Sequence, residues 1–280
     1  MMNVVDWAAN IFRADNLEDK LSKAKLITDF SYREIEVDLR TPGRGQALKF
    51  SVQKNKFPKV SHFADPVNRA KAIAFFANHE LEAIEMMCAA IIKFGKHKSE
   101  HEFEKIVRGI VSSISDEQRH LLMYLNRIRD LGFSPDDYQV NDFFWKQFKK
   151  IKCFDEFFSM MSLTFEAANL DFCLYYENVF KKIDDLNSAR MMKEVYLDEL
   201  KHVRLGVYWL NKWREDDSLW NYYLKNLPEG VTPERSKGIG FCRKSRKSAG
   251  LDDLFISSLQ NNRDDFLIPK RKINYNVSPN

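Results

Sequence analysis

The stretch Asp116-Glu117-Gln118-Arg119-His120 has a counterpart of the same form further along the chain, Asp198-Glu199-Leu200-Lys201-His202. In each stretch a Glu and a His stand three residues apart, so on an α-helix the two side chains share one face. That face also carries apolar residues: Ile110, Ile114, Leu121 and Tyr124 near the first pair, and Val195, Gly206 and Trp209 near the second. The pattern predicts two long helices whose apolar faces each hold a carboxylate and an imidazole.

Four segments of the chain show a helical period, and the two stretches lie on the second and fourth of them. The segments run from about residue 66 to 94, 101 to 130, 154 to 181 and 188 to 213. A few residues join the first to the second and the third to the fourth, whereas about 23 residues separate the second from the third. Short connections force antiparallel neighbours, and one long connection allows a crossover. We therefore predict an all-α protein built on a four-helix bundle with one long crossover.

Residues that begin and end helices support these limits. Asp65 is a suitable N-cap for the first helix, Pro66 suits its first position, and Gly95 suits the C′ position that follows it. Ser99 is expected to cap the second helix and Gly132 to end it.

The remaining segments predict extensions at both ends of the bundle. Residues 1–64 are expected to form an N-terminal extension, helical from Val4 to Lys25 and irregular around Thr41-Pro42-Gly43-Arg44-Gly45. Residues 65–215 would form the bundle, with a short helix at Phe143-Phe144-Trp145 in the crossover. Residues 216–280 would form a C-terminal extension with a basic segment that packs on the bundle.

Composition excludes several classes of protein. With 44% hydrophobic and 30% charged residues, the 280-residue chain has the balance of a globular protein. It has no Gly-rich phosphate loop and no Gly-x-Ser-x-Gly elbow, which argues against a P-loop nucleotidase or an α/β-hydrolase. The four cysteines form no Cys-x-x-Cys pair, so neither a zinc knuckle nor a dithiol motif is expected. The absence of a signal sequence and of a long apolar run predicts a cytoplasmic protein without a membrane span.

The basic excess of the chain lies near its C-terminus. Residues 231–280 hold ten basic and five acidic residues and so contribute a charge of +5. Since the formal net charge of the whole chain is +4, the first 230 residues carry about −1. The densest run comprises Arg243, Lys244, Arg246 and Lys247. Such a run is either a solvated surface or a patch for nucleic acid or another polyanion.

The first and third helices each add one carboxylate to the apolar face. Glu80 stands between Phe76 and Ile84, 14 residues after Pro66 and 14 before Phe94. Glu166 has the same position between Leu163 and Leu170 on the third helix. Because the midpoints of antiparallel helices meet at one depth, Glu80, Glu117, His120, Glu166, Glu199 and His202 are expected to converge.

Neighbouring residues of the first helix compete with Glu80 for this role. Glu82 is expected to face away from the apolar stripe into solvent. Glu85 lies near the edge of the stripe and is an alternative ligand or bridge. His79 points to another face of the helix and is left out of the ligand set.

Four buried carboxylates require compensation, since one unpaired buried carboxylate already costs several kcal/mol. Two divalent metal ions would neutralise the four charges. A carboxylate-rich set with one His per metal suits iron or manganese. The same set, one Glu from each of two helices and Glu-x-x-His from each of the others, is the ligand pattern of di-iron bundles. The alternative is a hydrogen-bonded polar network without metal.

Four blocks of the chain resemble the ferritin-like superfamily, and within it a bacterial family of unassigned biochemical role. The blocks are His79-Glu80-Leu81-Glu82-Ala83-Ile84-Glu85, Asp116-Glu117-Gln118-Arg119-His120, Phe165-Glu166-Ala167-Ala168-Asn169-Leu170-Asp171 and Asp198-Glu199-Leu200-Lys201-His202. Thr41-Pro42-Gly43-Arg44 and the run from Arg243 to Gly250 also resemble blocks of that family. The resemblance implies a metal-binding bundle and no particular substrate.

Four further residues are candidates for supporting the centre. Asp116 and Asp198 precede the two pairs symmetrically, and each is expected to accept the ring N–H of a ligand His from the opposite hairpin, or else to be exposed. Tyr124 and Tyr196 could donate hydrogen bonds or take part in redox chemistry, the alternative being two core aromatics.

The pattern predicts an oxidase or oxygenase that activates O2 at two iron ions, with manganese or a mixed manganese and iron pair as alternatives. Its substrate would be a small organic molecule, and its electron donor is not identified by the sequence. The competing hypotheses are a ferroxidase or metal-sequestering protein and, from the basic run and a similarity to ferritin-like tRNA hydroxylases, a tRNA-modifying hydroxylase that binds RNA.

Overall fold

The computed structural model of the chain describes residues 2–51 and 56–263. Within these residues the regular structure is helical, apart from a two-stranded parallel ladder of β1 (Met2–Asn3) and β2 (Ile27–Asp29) and a bridge between Phe50 and Val140. The all-α prediction is therefore confirmed. No helix among the described residues has both the length and the apolarity needed to cross a bilayer. The chain divides into two compact units between Lys149 and Lys150.

The first unit is organised around a pair of long helices. Its α-helices are α1 (Val4–Arg13), α2 (Leu17–Lys20), α3 (Pro66–Phe94), α4 (Glu100–Asp130) and α5 (Phe143–Phe148). Short 3-10 turns lie at Ala24–Leu26, Val60–His62, Gly95–His97 and Pro135–Asp137. Helices α3 and α4 pack against each other, and α1 packs against α3. The short helix predicted at Phe143-Phe144-Trp145 is present as α5.

Local signals produce most of the helix ends in this unit. The Asp65 side chain accepts a hydrogen bond from the Val67 N–H at the start of α3, and the Ser99 side chain caps α4. Gly132 has a φ of 89°, a left-handed conformation that glycine adopts without strain, and its N–H donates to the Arg129 carbonyl. The predicted starts of both helices and the predicted end of α4 are confirmed.

Gly95 has a different role from the one its position suggested. Its φ of −60° and ψ of −35° are right-handed helical, so it is not a left-handed cap. A Cβ at this position would lie 2.2 Å from the Tyr32 ring and 2.6 Å from the Phe103 ring. Glycine is needed here because two aromatic rings occupy the space of a side chain.

The irregular segment before α3 packs tightly on the end of α1. A Cβ on Gly43 would lie 2.1 Å from the Arg13 carbonyl oxygen, and a Cβ on Gly45 would lie 2.0 Å from the Asp15 carbonyl oxygen. The two glycines let the loop backbone approach the end of α1. Arg44 lies between these glycines in the sequence, and its side chain is thereby directed into the first unit.

The second unit contains the other pair of long helices. Its elements are α6 (Phe154–Met160), a π-helical turn (Met161–Glu166), α7 (Ala167–Lys182), α8 (Leu186–Trp213), α9 (Leu219–Lys225), a 3-10 turn (Pro233–Ser236), α10 (Arg243–Ser248) and α11 (Asp253–Asn261). The predicted third helix is thus one continuous helix of three parts, α6, the π turn and α7, and it packs against α8.

The predicted domain limits, 1–64, 65–215 and 216–280, stay a prediction. The first predicted helix pair belongs to the first unit and the second pair to the second unit. Residues 264–280 of the predicted C-terminal extension lie outside the described residues.

Candidate metal centre

Three of the predicted ligands come together in the first unit. Glu80 lies at the middle of α3, while Glu117 and His120 lie one turn apart on α4. Their exposed fractions are 5%, 1% and 0%, and each offers a donor atom within 4.8 Å of those of the other two. The Nδ1 atom of His120 is 3.2 Å from Oε2 of Glu117. We call Glu80, Glu117 and His120 the first triad.

The other three predicted ligands come together in the second unit. Glu166 ends the π turn, and Glu199 and His202 lie one turn apart on α8. The Nδ1 atom of His202 is 3.7 Å from Oε2 of Glu199 and 4.0 Å from Oε1 of Glu166. All three side chains are buried, and their donor atoms lie within 4.8 Å of one another. We call Glu166, Glu199 and His202 the second triad.

The spacing of the donor atoms in each triad is compatible with a metal ion. Ligand bonds of about 2.1 Å at angles of 90° to 110° put neighbouring donor atoms about 3.0 to 3.4 Å apart. The His120 to Glu117 distance of 3.2 Å lies in this range, and the distances of 3.7 and 4.0 Å in the second triad exceed it only slightly. Two carboxylates and one imidazole are a donor set for iron or manganese. Each triad could therefore bind one ion.

The π turn is a feature that helical periodicity did not predict. A π turn inserts one residue into the α-helical ladder, so side chains after it are rotated relative to those before it. The turn runs from Met161 to Glu166 and packs against α8. There, a Cβ on Gly206 would lie 2.3 Å from Cβ of Ser162, so only glycine allows this approach. The π turn thus sets the direction in which Glu166 leaves the helix.

Asn169 is a functional candidate that the sequence reasoning missed. Its Nδ2 donates a hydrogen bond of 2.8 Å to Oε1 of Glu199. The residue lies three positions after Glu166, on the same side of the helix, and this spacing was the available signal. An amide that holds a ligand carboxylate fixes its orientation before metal binds.

The predicted supporting aspartates lie next to the triads and pair with basic residues on their own helices. Asp116 Oδ1 lies 3.3 Å from the Arg119 guanidinium, and Asp198 Oδ1 lies 2.8 Å from Nζ of Lys201. Asp198 is buried, and Asp116 is partly exposed. Their support of ligand histidines stays a prediction.

The two tyrosines have different surroundings. Tyr124 is buried, and its ring packs against Phe76 with centroids 5.9 Å apart. The Tyr196 hydroxyl is 2.9 Å from Oγ of Ser245 on α10, so it joins two helices of the second unit. A redox role for either residue stays a prediction.

The expectation for Glu82 was wrong. This side chain is 0% exposed, and burial raises the pKa of its carboxyl group to about 7. It accepts hydrogen bonds from Nδ2 of Asn78 at 2.8 Å and from the Trp145 N–H at 2.9 Å. Helical periodicity predicted exposure because it could not reveal that α5 covers this face of α3.

Glu85, the alternative ligand, is engaged elsewhere. Its carboxylate lies 3.0 Å from Nζ of Lys20 and 2.7 Å from the Arg44 guanidinium, and all three side chains are buried. His79, which was left out of the ligand set, makes an edge-on contact with Phe144.

The basic run of α10 is only partly a surface. Arg246 is 0% exposed and binds both carboxylate oxygens of Asp171, at 2.7 and 2.8 Å. This burial removes Arg246 from the predicted polyanion patch. Arg243, Lys244 and Lys247 are exposed.

One family of proteins is recognised in the sequence. The model of the family described as "Protein of unknown function (DUF455)" matches residues 4–257. Comparison with curated proteins and with solved structures gives no match.

Proposed function

The chain belongs to the DUF455 family, whose function is unknown, and from its buried Glu and His residues we propose that it is a di-metal oxidoreductase of ferritin-like type. In this proposal the chain binds two iron ions, or manganese in place of one or both. It then uses O2 to oxidise a small organic molecule.

The observation that carries the proposal is the pair of matching triads. Each consists of two carboxylates and one imidazole, all at most 5% exposed. The two triads together supply one Glu from each of two helices and Glu-x-x-His from each of two others, which is the ligand pattern of carboxylate di-iron proteins. A site that only stores metal does not require two histidine ligands. The complete set of four glutamates and two histidines therefore favours a redox-active di-metal centre over metal storage alone.

The residues of the chain would prepare the site in three ways. Glu80, Glu117, Glu166 and Glu199 would balance the charge of two divalent ions, and buried positions would keep bulk water away from them. Asn169 would hold one oxygen of Glu199, leaving its other oxygen for the metal. When bound, reduced iron would supply electrons for O2 and open coordination positions.

Metal content and O2 consumption test the proposal. We expect about two metal ions per chain by elemental analysis of native protein, and rapid O2 uptake after anaerobic reduction. Glu199→Gln, which keeps the shape of the side chain and removes its charge, should lower the metal content markedly. Glu194→Gln is the matched control, because Glu194 is exposed on the same helix.

Three results would contradict the proposal. They are native protein without bound transition metal, undiminished metal in both Glu117→Gln and Glu199→Gln, and reduced iron-loaded protein that consumes no O2. A large shell with many irons per chain would instead indicate iron storage. Salt-sensitive tRNA binding that is lost on neutralising Arg243, Lys244 and Lys247 would instead indicate an RNA substrate.

A further inference from the structure

The first unit contains a second buried charged cluster, which the proposed metal chemistry does not use. Lys20, Arg44 and Glu85 have side chains that are 2%, 4% and 0% exposed. The Arg44 guanidinium binds both oxygens of Glu85, and its Nη1 also donates to the Leu48 carbonyl and to Oδ1 of Asn78. Every nitrogen of Arg44 is thereby engaged within the protein.

Lys20 is less completely engaged. Among the described residues, its ammonium group donates to the Phe12 carbonyl at 3.1 Å and pairs with Glu85 at 3.0 Å. An ammonium has three N–H groups, so one remains for another acceptor. Two cations share the charge of Glu85, and burial lowers the pKa of Lys20 below its usual range. A further anion beside Lys20 would stabilise its charged form.

A cleft lies directly at this cluster. Its volume is about 250 Å³, and Lys20 and Arg44 belong to its lining together with Leu17, Ala47 and Leu81. The exposed part of the lining is acidic and polar, whereas its buried part is cationic. Asp15 and Asp136 carry negative charge at the rim, and Asn16 and Gln46 add amide groups there. The cleft therefore has buried cations and an acidic, hydrogen-bonding rim.

We propose that this cleft binds a small zwitterion of the α-amino acid class, with its carboxylate at Lys20 and its ammonium group at Asp15 and Asp136. The carboxylate takes the remaining N–H of Lys20 and adds the missing negative charge. The rim carboxylates bind the ammonium group, and the aliphatic side chains of the lining accommodate an apolar substituent.

The charge pattern favours a zwitterion over simpler ligands. A plain anion such as phosphate would meet repulsion from Asp15 and Asp136, and a plain amine would meet Lys20. A ligand with both charges satisfies both parts of the cleft. The cleft volume suits a molecule of amino acid size and is below that of most sites for larger ligands.

Thermal unfolding of the full chain, as purified, provides the first test. Each common α-amino acid is added at about 10 mM, and a ligand of millimolar affinity or better raises the melting temperature. Calorimetric titration then compares the strongest ligand with its methyl ester, its N-acetyl derivative and phosphate. Loss of either charge is expected to weaken binding at least tenfold.

Variants locate the binding site. Lys20→Met should abolish binding, whereas Lys23→Met should not, because Lys23 is exposed and is not part of the cleft lining. Ala47→Leu fills the cleft and leaves every charge in place, so it tests the site even if Lys20→Met does not fold. The inference is independent of the metal centre, since binding is measured by calorimetry rather than by activity.

The proposal is overturned if no α-amino acid raises the melting temperature. It is also overturned if the ester or phosphate binds as tightly as the amino acid, or if folded Ala47→Leu binds as tightly as the unmodified chain.

Discussion

The buried ion pair between Asp171 and Arg246 leads to a quantitative prediction about the second unit. Both side chains are 0% exposed. Asp171 accepts two hydrogen bonds from Arg246, one from the Cys242 N–H at 2.8 Å and one from the Gly238 N–H at 2.9 Å. The substitution Asp171→Asn keeps the shape of the side chain but turns an amide NH2 towards donors.

Breaking one side of a buried ion pair costs about 3 to 5 kcal/mol, because the remaining charge stays buried without its partner. We expect Asp171→Asn to lower the free energy of unfolding by that amount, measured by urea denaturation. Asp171 lies on α7, which begins directly after Glu166. Loosening this helix should displace the Glu166 carboxylate, so the variant should also lose metal affinity. Asp217→Asn is the control: Asp217 pairs with the 69% exposed Lys225, and such solvent-exposed pairs contribute little to stability.

A double substitution separates charge from packing. Asp171→Asn, Arg246→Met and the double variant form a double-mutant cycle, in which the Asn side chain still offers an oxygen to the Cys242 or Gly238 N–H. Because the two charges depend on each other, the double variant should cost less free energy of unfolding than the sum of the two single variants. If Asp171→Asn costs no more than the Asp217→Asn control, the buried pair does not stabilise the unit, and our reasoning is refuted.

Three further predictions concern single residues. Gly206→Ala should destabilise the second unit by about 1 to 3 kcal/mol in urea denaturation, because its Cβ would meet Ser162 at 2.3 Å; unchanged stability would contradict this contact. Asn169→Ala should weaken metal binding about 10- to 100-fold in a chelator competition, and an unchanged affinity would show that Glu199 needs no such support. Burial raises the pKa of Glu82 from 4.5 to about 7, so its protonated form favours folding and stability is lost as pH rises through 4.5 to 7. Relative to Glu82→Gln, the unmodified chain should therefore lose about 2 to 3 kcal/mol between pH 5 and pH 8 in urea denaturation, and parallel pH profiles would contradict this shift.

Helix limits and candidate ligands were predictable because they depend on local pattern. Asp65, Ser99 and Gly132 act through hydrogen bonds to residues two or three positions away. The spacing of Glu117 and His120 places both side chains on one helix face whatever the helix packs against. Such interactions lie within one or two turns, so the sequence pattern is enough to identify them.

Other features required packing partners that are distant in sequence. The buried Glu82 accepts a hydrogen bond from the Trp145 N–H, and the buried Glu85 pairs with Lys20 and Arg44. Helical periodicity contains no information on these contacts. The π turn before Glu166 likewise depends on the space that Gly206 leaves on another helix.

The amino-acid pattern alone predicts an all-α protein and identifies the carboxylates and imidazoles that could bind metal. Which charged side chains are exposed, and which are compensated inside the protein, depends on tertiary packing. The α10 run shows the difference, since Arg246 is buried on Asp171 while Arg243, Lys244 and Lys247 are exposed. This difference arises because helix formation depends on neighbours in the chain, whereas the cost of burying a charge depends on partners that only folding brings near.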